Sequence, residues 1–155
     1  MKLPLKKIDL IVYDFDGVMT DNRVLVFQDG REAVYCNRSD GLGIKMIRKL
    51  GIPQIIISTE SNPVVEARAK KIGLQVLYNC EDKLKALKSF CDQNSCQLSR
   101  VLYVGNDVND LSVMKAVGMP VCPVDAHPLI LKVALALKTR GGYGVVRELA
   151  DMLEG

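Results

Sequence analysis

The chain has 155 residues, close to the size of one domain, and its 48% apolar content is enough for a real core. A formal charge of +3, scattered without a basic run and with only 5% aromatic residues, is too mild to argue for a nucleic-acid partner. No apolar run is long enough to span a membrane.

Five cysteines (Cys36, Cys80, Cys91, Cys96, Cys122) form no CxxC pair, and an odd, irregular set reads as reduced thiols in a soluble, cytoplasmic protein. His127 is the only histidine, so a zinc site is not expected. Residues 1–7 are basic but lack the apolar core of a secretory leader.

In chain order, residues 8–13 are an apolar, β-branched run that reads as a buried strand. Residues 23–36 alternate around Asp29-Gly30 and read as a β-hairpin. A helix is expected over 40–49, capped by Asp40 and stopped at Gly51. Strand 53–57 follows, then a helix over 62–72 opened by Asn62-Pro63 and closed by Gly73. A short strand at 74–78, a helix at 82–92 and a strand at 100–105 come next. A helix at 110–117, a strand at 119–122 and helical segments at 127–137 and 144–153 complete the pattern. Strands alternating with helices predict one α/β domain over residues 1–155, with a mainly parallel sheet flanked by helices. His127 is read as a helix start without a catalytic role.

In such sheets, ligands bind beyond the carboxyl ends of the strands, and three polar clusters fall there. The first is Asp14-Phe15-Asp16-Gly17-Val18-Met19-Thr20-Asp21. Asp-rich turns after strands are common, but two carboxylates two residues apart point to one side and need a cation to coexist at close range. One carboxylate can attack phosphorus to form an acyl phosphate, and the second can protonate the leaving oxygen. The second cluster is Ser58-Thr59-Glu60, where a small hydroxyl can hydrogen-bond a phosphoryl oxygen or cap the next helix. The third, Gly105-Asn106-Asp107-Val108-Asn109-Asp110, offers oxygen ligands for magnesium beside Asp14, although Asp110 also suits a helix cap. A lysine is needed to neutralise the developing charge; Lys83, Lys85 and Lys88 lie on one predicted helix, and composition does not choose among them.

The ordered set of these motifs, spanning essentially the whole chain, resembles the haloacid dehalogenase-like phosphatases. More narrowly, residues 38–45 (RSDGLGIK) and 141–148 (GGYGVVRE) resemble the 3-deoxy-sugar-acid phosphatases: KDO 8-phosphate phosphatase, KDN 9-phosphate phosphatase and the C-terminal domain of some acylneuraminate cytidylyltransferases. The resemblance implies a Rossmann-like fold without a cap domain. It implies Asp14 as nucleophile and magnesium ligand, Asp16 as general acid/base with its carbonyl on the metal, Ser58 and Lys83 on the phosphoryl group, and Gly17 where backbone can approach phosphate. KDO-type members look like GDDxxD in the last motif. Asn106 replaces the first aspartate here and is the preferred ligand, with Asp107 alongside and Asp110 in support.

KDO-type members also usually carry Gly-Arg after the serine position, whereas this chain has Thr59-Glu60. Glu60 with Arg68 resembles the nine-carbon group, so KDN 9-phosphate is the leading expected substrate and KDO 8-phosphate the alternative. Glu60 would accept from sugar hydroxyls, and Arg68 would bind the substrate carboxylate or orient Glu60. A non-catalytic oligomerisation module is the alternative of another class. Between Asp16 and Ser58 there is room only for a hairpin and a helix. A neighbouring subunit is therefore expected to complete the site, and the resemblance implies a homotetramer built around hairpins.

Overall fold

The structure, a computed structural model, describes residues 8–154. The basic stretch 1–7 lies outside them. Among the described residues, eight strands are formed: β1 (Leu10–Tyr13), β2 (Leu25–Val26), β3 (Glu32–Ala33), β4 (Gln54–Ile57), β5 (Gln75–Leu77), β6 (Val101–Val104), β7 (Met119–Cys122) and β8 (Leu135–Ala136). The helices are α1 (Arg38–Lys49), α2 (Pro63–Ile72), α3 (Lys83–Gln93), α4 (Leu111–Ala116), α5 (Pro128–Leu131) and α6 (Val145–Glu154).

Six strands form one sheet in the order β5-β4-β1-β6-β7-β8, and every pairing in it is parallel. β1 is central, with Val12 opposite Ile55 on one side and Tyr103 on the other. Its four residues are all buried, as a strand covered on both faces requires. Because side chains alternate, Ile11 and Tyr13 enter one core with residues of α1, α2 and α6, while Leu10 and Val12 enter a second core with residues of α3, α4 and α5. The result is the expected sheet between two helical layers.

α2 is built as its sequence specifies: the Asn62 side chain accepts from Val64 N, Pro63 occupies the first turn and Gly73 ends it. α3 is capped by Asp82, which accepts from Lys85 N, and α5 by His127, whose Nδ1 accepts from Leu129 N. Three expectations need correction. α1 starts two residues early, because Asn37 caps it through Ser39 N at 2.9 Å. Asp40 instead lies buried in the first turn and accepts from Val146 N at 2.9 Å, so it caps α6 across the core. The expected helix over 127–137 stops at Leu131, and its tail becomes β8, where Leu135 pairs with Val121 of β7 and extends the sheet. The hairpin forms, with Leu25 opposite Ala33 around the Asp29-Gly30 turn, but its strands have only two residues each.

The hairpin projects an uncovered apolar surface: Val26 is 60% exposed, Tyr35 73% and nearby Tyr143 62%. Among the described residues, no helix is long and apolar enough to cross a membrane, and all five cysteines are free thiols.

Candidate active site

The three polar clusters meet because β4, β1 and β6 are neighbours and all point the same way. Asp14 follows β1, with its N–H bonded to Val104 O at 2.8 Å. Ser58 follows β4, and Gly105 and Asn106 follow β6. Lys83 reaches the same place from the first position of α3.

Of the three candidate lysines, burial selects Lys83: its side chain is 1% exposed, whereas Lys85 and Lys88 face solvent. Its Nζ donates to Asp14 Oδ1 at 2.8 Å and to Asp110 Oδ1 at 2.7 Å. Asp110 also accepts from the Tyr103 hydroxyl at 2.8 Å and, through Oδ2, from the Asn106 N–H at 2.9 Å. Burial pushes the Lys83 ammonium down, but the two carboxylates more than offset that and hold it protonated. Burial raises Asp14 to about 8, helped by the charge of Asp110 and opposed by Lys83. Ionising both buried carboxylates around one lysine would leave a net negative charge, which further positive charge must balance.

A cation has a place to supply it. The Asn106 side-chain oxygen faces the Asp16 carbonyl at 2.9 Å and Asp14 Oδ2 at 3.3 Å. In that orientation three oxygens converge with no proton between them; turning the amide over would instead donate two hydrogen bonds. An octahedral magnesium ion with bonds of about 2.1 Å holds adjacent oxygens about 3.0 Å apart, so the spacing fits that ion. Among the described residues, no three His, Cys, Asp or Glu side chains are grouped to hold a metal. This oxygen set takes two of its three members from an amide and a main-chain carbonyl instead. Gly17, at φ +80°, packs directly on it, and any Cβ there would run into the Asn106 amide. The Gly17 N–H is taken by Thr20 Oγ1 at 3.2 Å.

Asp16 Oδ1 accepts from Thr20 Oγ1 at 3.3 Å. Burial, then the nearby charge of Glu60, raises the Asp16 carboxyl above its ordinary value. Asp16 lines a cleft of 290 Å³ together with Asp14, Thr59, Glu60 and Asn106. Ser58 is buried beside it, its hydroxyl accepting from Glu60 N at 3.1 Å. A larger cavity of 700 Å³ lies between β5 and α3, away from these strand ends and without paired carboxylates, so the chemistry belongs to the smaller cleft.

Two of the expected residues make further contacts. Asp107 lines the cleft, and its Oδ1 accepts from Val108 N at 2.7 Å, capping a short turn. Arg68 makes no ion pair with Glu60; it donates to the Asn37 carbonyl at 2.8 Å, because α2 aims it at the start of α1. Tyr103 and Thr20 were not singled out from sequence. The one signal for Tyr103 is a hydroxyl in an otherwise apolar buried strand, which must find a partner.

The fold and this constellation define a hydrolase built on a parallel sheet, with buried carboxylates gathered at the carboxyl ends of its central strands. Residues 48–140 match the haloacid dehalogenase-like hydrolase family, and the chain belongs to it. The chain is 36% identical to the 3-deoxy-D-manno-octulosonate 8-phosphate phosphatase of Yersinia pestis over 94% of its length and 79% of that protein. A putative hydrolase of this family from Streptomyces avermitilis has a solved structure that superposes with a TM-score of 0.96 at 46% identity, covering all of this chain and 90% of that one. The Moraxella catarrhalis 3-deoxy-D-manno-octulosonate 8-phosphate phosphatase, solved with magnesium, phosphate and KDO, superposes with a TM-score of 0.91 at 29% identity over 96% of this chain and 86% of that one.

Proposed function

We propose that the chain is a magnesium-dependent phosphatase acting on a 2-keto-3-deoxy sugar-acid phosphate, with KDO 8-phosphate as its substrate. The observation that carries this reading is the buried Asp14–Lys83–Asp110 group at the strand ends, with Asp16 and Asn106 lining the same cleft as Asp14. Asp14 attacks phosphorus and becomes an acyl phosphate, while Asp16 gives its proton to the departing sugar oxygen. Water then attacks the acyl phosphate, returning a proton to Asp16 and releasing phosphate from Asp14. Lys83 orients Asp14 and offsets phosphoryl charge, and Ser58 borders the phosphoryl position. Asp14, the Asp16 carbonyl and Asn106 would hold magnesium, which would supply positive charge to offset the phosphoryl oxygens.

KDN 9-phosphate, the leading expectation from sequence, becomes the second reading. Two of the three similar proteins named above are KDO 8-phosphate phosphatases, and Arg68, half of the argument for the nine-carbon substrate, donates to the Asn37 carbonyl and makes no ion pair with Glu60. Glu60 in the cleft wall keeps the longer sugar acid in play. Side-by-side kcat/KM values for KDO 8-phosphate, KDN 9-phosphate and p-nitrophenyl phosphate, with magnesium and with EDTA, test the proposal. The sugar acids should be preferred and EDTA should abolish turnover; equal rates on all three would remove the sugar-acid assignment. No turnover of any ester with magnesium would leave the oligomerisation module standing.

The uncovered hairpin surface supports self-association into a homotetramer, in which neighbours would roof the open cleft. Light scattering at micromolar concentration should give four times the chain mass; a stable monomer refutes it.

A further inference from the structure

Beside the cleft lies a second cavity of 220 Å³, bordered by the same Asp16, Asn22 and Glu60. Part of its wall is apolar, from Val24 and Val34 of the hairpin segment and Val64 and Val65 of α2. The rest is polar and includes Arg23, Glu32 of β3 and Asn62. Asn62 uses both ends of its amide: the oxygen accepts from Val64 N at 3.0 Å, and Nδ2 donates to Glu32 Oε2 at 2.5 Å. That clamp fixes a residue of the hairpin against the start of α2. Among the described residues, Glu32 Oε1 has no hydrogen-bond donor.

We propose that this cavity receives the hydroxyl-bearing arm of the phosphate ester, and that Glu32, held by Asn62, is a specificity-determining residue accepting hydrogen bonds from it. The assignment rests on the phosphatase reading above. A polyhydroxylated chain presents C–H faces to apolar side chains and O–H donors to carboxylates, and this lining offers both. The volume holds roughly seven waters at about 30 Å³ each, room for an arm of a few hydroxylated carbons. Charge sets the direction of binding. Glu32, Glu60 and Asp16 outnumber Arg23, whose guanidinium is paired with Asp21 at 2.6 Å, so the phosphate stays beside Asp14 and Lys83 and the acid's own carboxylate points away from the cavity. In KDO 8-phosphate those two anionic ends are separated by the hydroxylated carbons, which is the order the site requires. The hairpin thereby does within one chain part of what a cap domain would do.

The test uses the full chain with saturating magnesium. kcat/KM for KDO 8-phosphate, KDN 9-phosphate and glucitol 6-phosphate is divided by that for p-nitrophenyl phosphate, which has no hydroxyl arm. Glu32→Gln keeps shape and removes charge, and each ratio should fall about tenfold as charge-assisted bonds become neutral ones. Asn62→Ser keeps a capping oxygen for α2 but cannot reach Glu32, and should lower the ratios in the same direction. Unchanged ratios in Glu32→Gln, an equal loss on p-nitrophenyl phosphate, or a raised magnesium requirement would each overturn the proposal. A wild-type chain that prefers glucitol 6-phosphate to both sugar acids, with the Glu32→Gln ratio still falling, supports the subsite while refuting the sugar-acid substrate.

Discussion

Replacing Asp40 with asparagine should change the pH dependence of stability more than stability itself. Asp40 is 1% exposed; Oδ1 accepts from Val146 N, and Oδ2 has no hydrogen-bond partner. Burial raises its carboxyl from 3.8 to about 6, against the pull of the Val146 and Arg147 N–H groups and of Arg68. The folded state therefore holds the proton more tightly than the unfolded chain. Below pH 3.8 both states carry the neutral acid and there is no penalty. As pH climbs past 3.8 toward about 6 the unfolded chain ionises first, and the native protein loses stability until the folded group ionises as well. At about 1.4 kcal/mol per pH unit the full loss is about 3 kcal/mol, of which about 2 kcal/mol develops between pH 4.5 and 7.5. Asparagine still accepts from Val146 and never ionises. Urea unfolding of both proteins at those two pH values, at one protein concentration, reads the effect directly. Relative to native, the Asp40→Asn variant should gain about 2 kcal/mol on going to pH 7.5. A difference that stays flat across that range refutes the reasoning.

Asp14→Asn should lower turnover about a thousandfold or more while the melting temperature stays within a few degrees, since only the nucleophile is neutralised; near-normal kinetics would exclude Asp14 from that role. Lys83→Ala leaves Asp14 and Asp110 buried together without their shared cation, a loss of about 3–5 kcal/mol, so calorimetry should show melting lowered by about 10 °C or more. Unchanged melting would mean that the ion pairs contribute nothing. Gly17→Ala must place a Cβ at φ +80° against the Asn106 amide, so a magnesium titration of activity should shift to higher concentration; an unaltered titration would show that the oxygen cluster tolerates displacement.

Where local chemistry decides structure, the sequence was legible. The run ending at Asp14, the Asn62-Pro63 start of α2 and the Asp29-Gly30 turn all appear as expected, because each is set by neighbours within a few residues. The errors fall where a distant partner overrides local preference. Asp40 is a sound helix cap by type, but Val146, far along the chain, claims its oxygen and leaves Asn37 to cap α1. Residues 135 and 136 are good helix formers that the open edge of β7 draws into the sheet. Within the site, Asp14, Asp16, Ser58 and Lys83 were found because motif order constrains them. Tyr103 was not, because its single contact with Asp110 exists only after β6 and the following turn have folded together. Arg68 donates to the Asn37 carbonyl, a partner that only the direction of α2 reveals.

The loop after Asp14 is braced from a late part of the chain. Gly142 donates to the Val18 carbonyl at 3.0 Å, and Gly141 and Gly142 lie so close to residues 17–21 that a side chain at either would strike backbone. β1, likewise, gains its second neighbour only when β6 has formed. During synthesis the segment bearing the nucleophile therefore leaves the ribosome well before either support exists, and nascent chains must carry a bare, apolar β1 through that interval. Fragments cut short before residue 141 keep Asp14 and Asp16 but lack the brace on the loop that carries them.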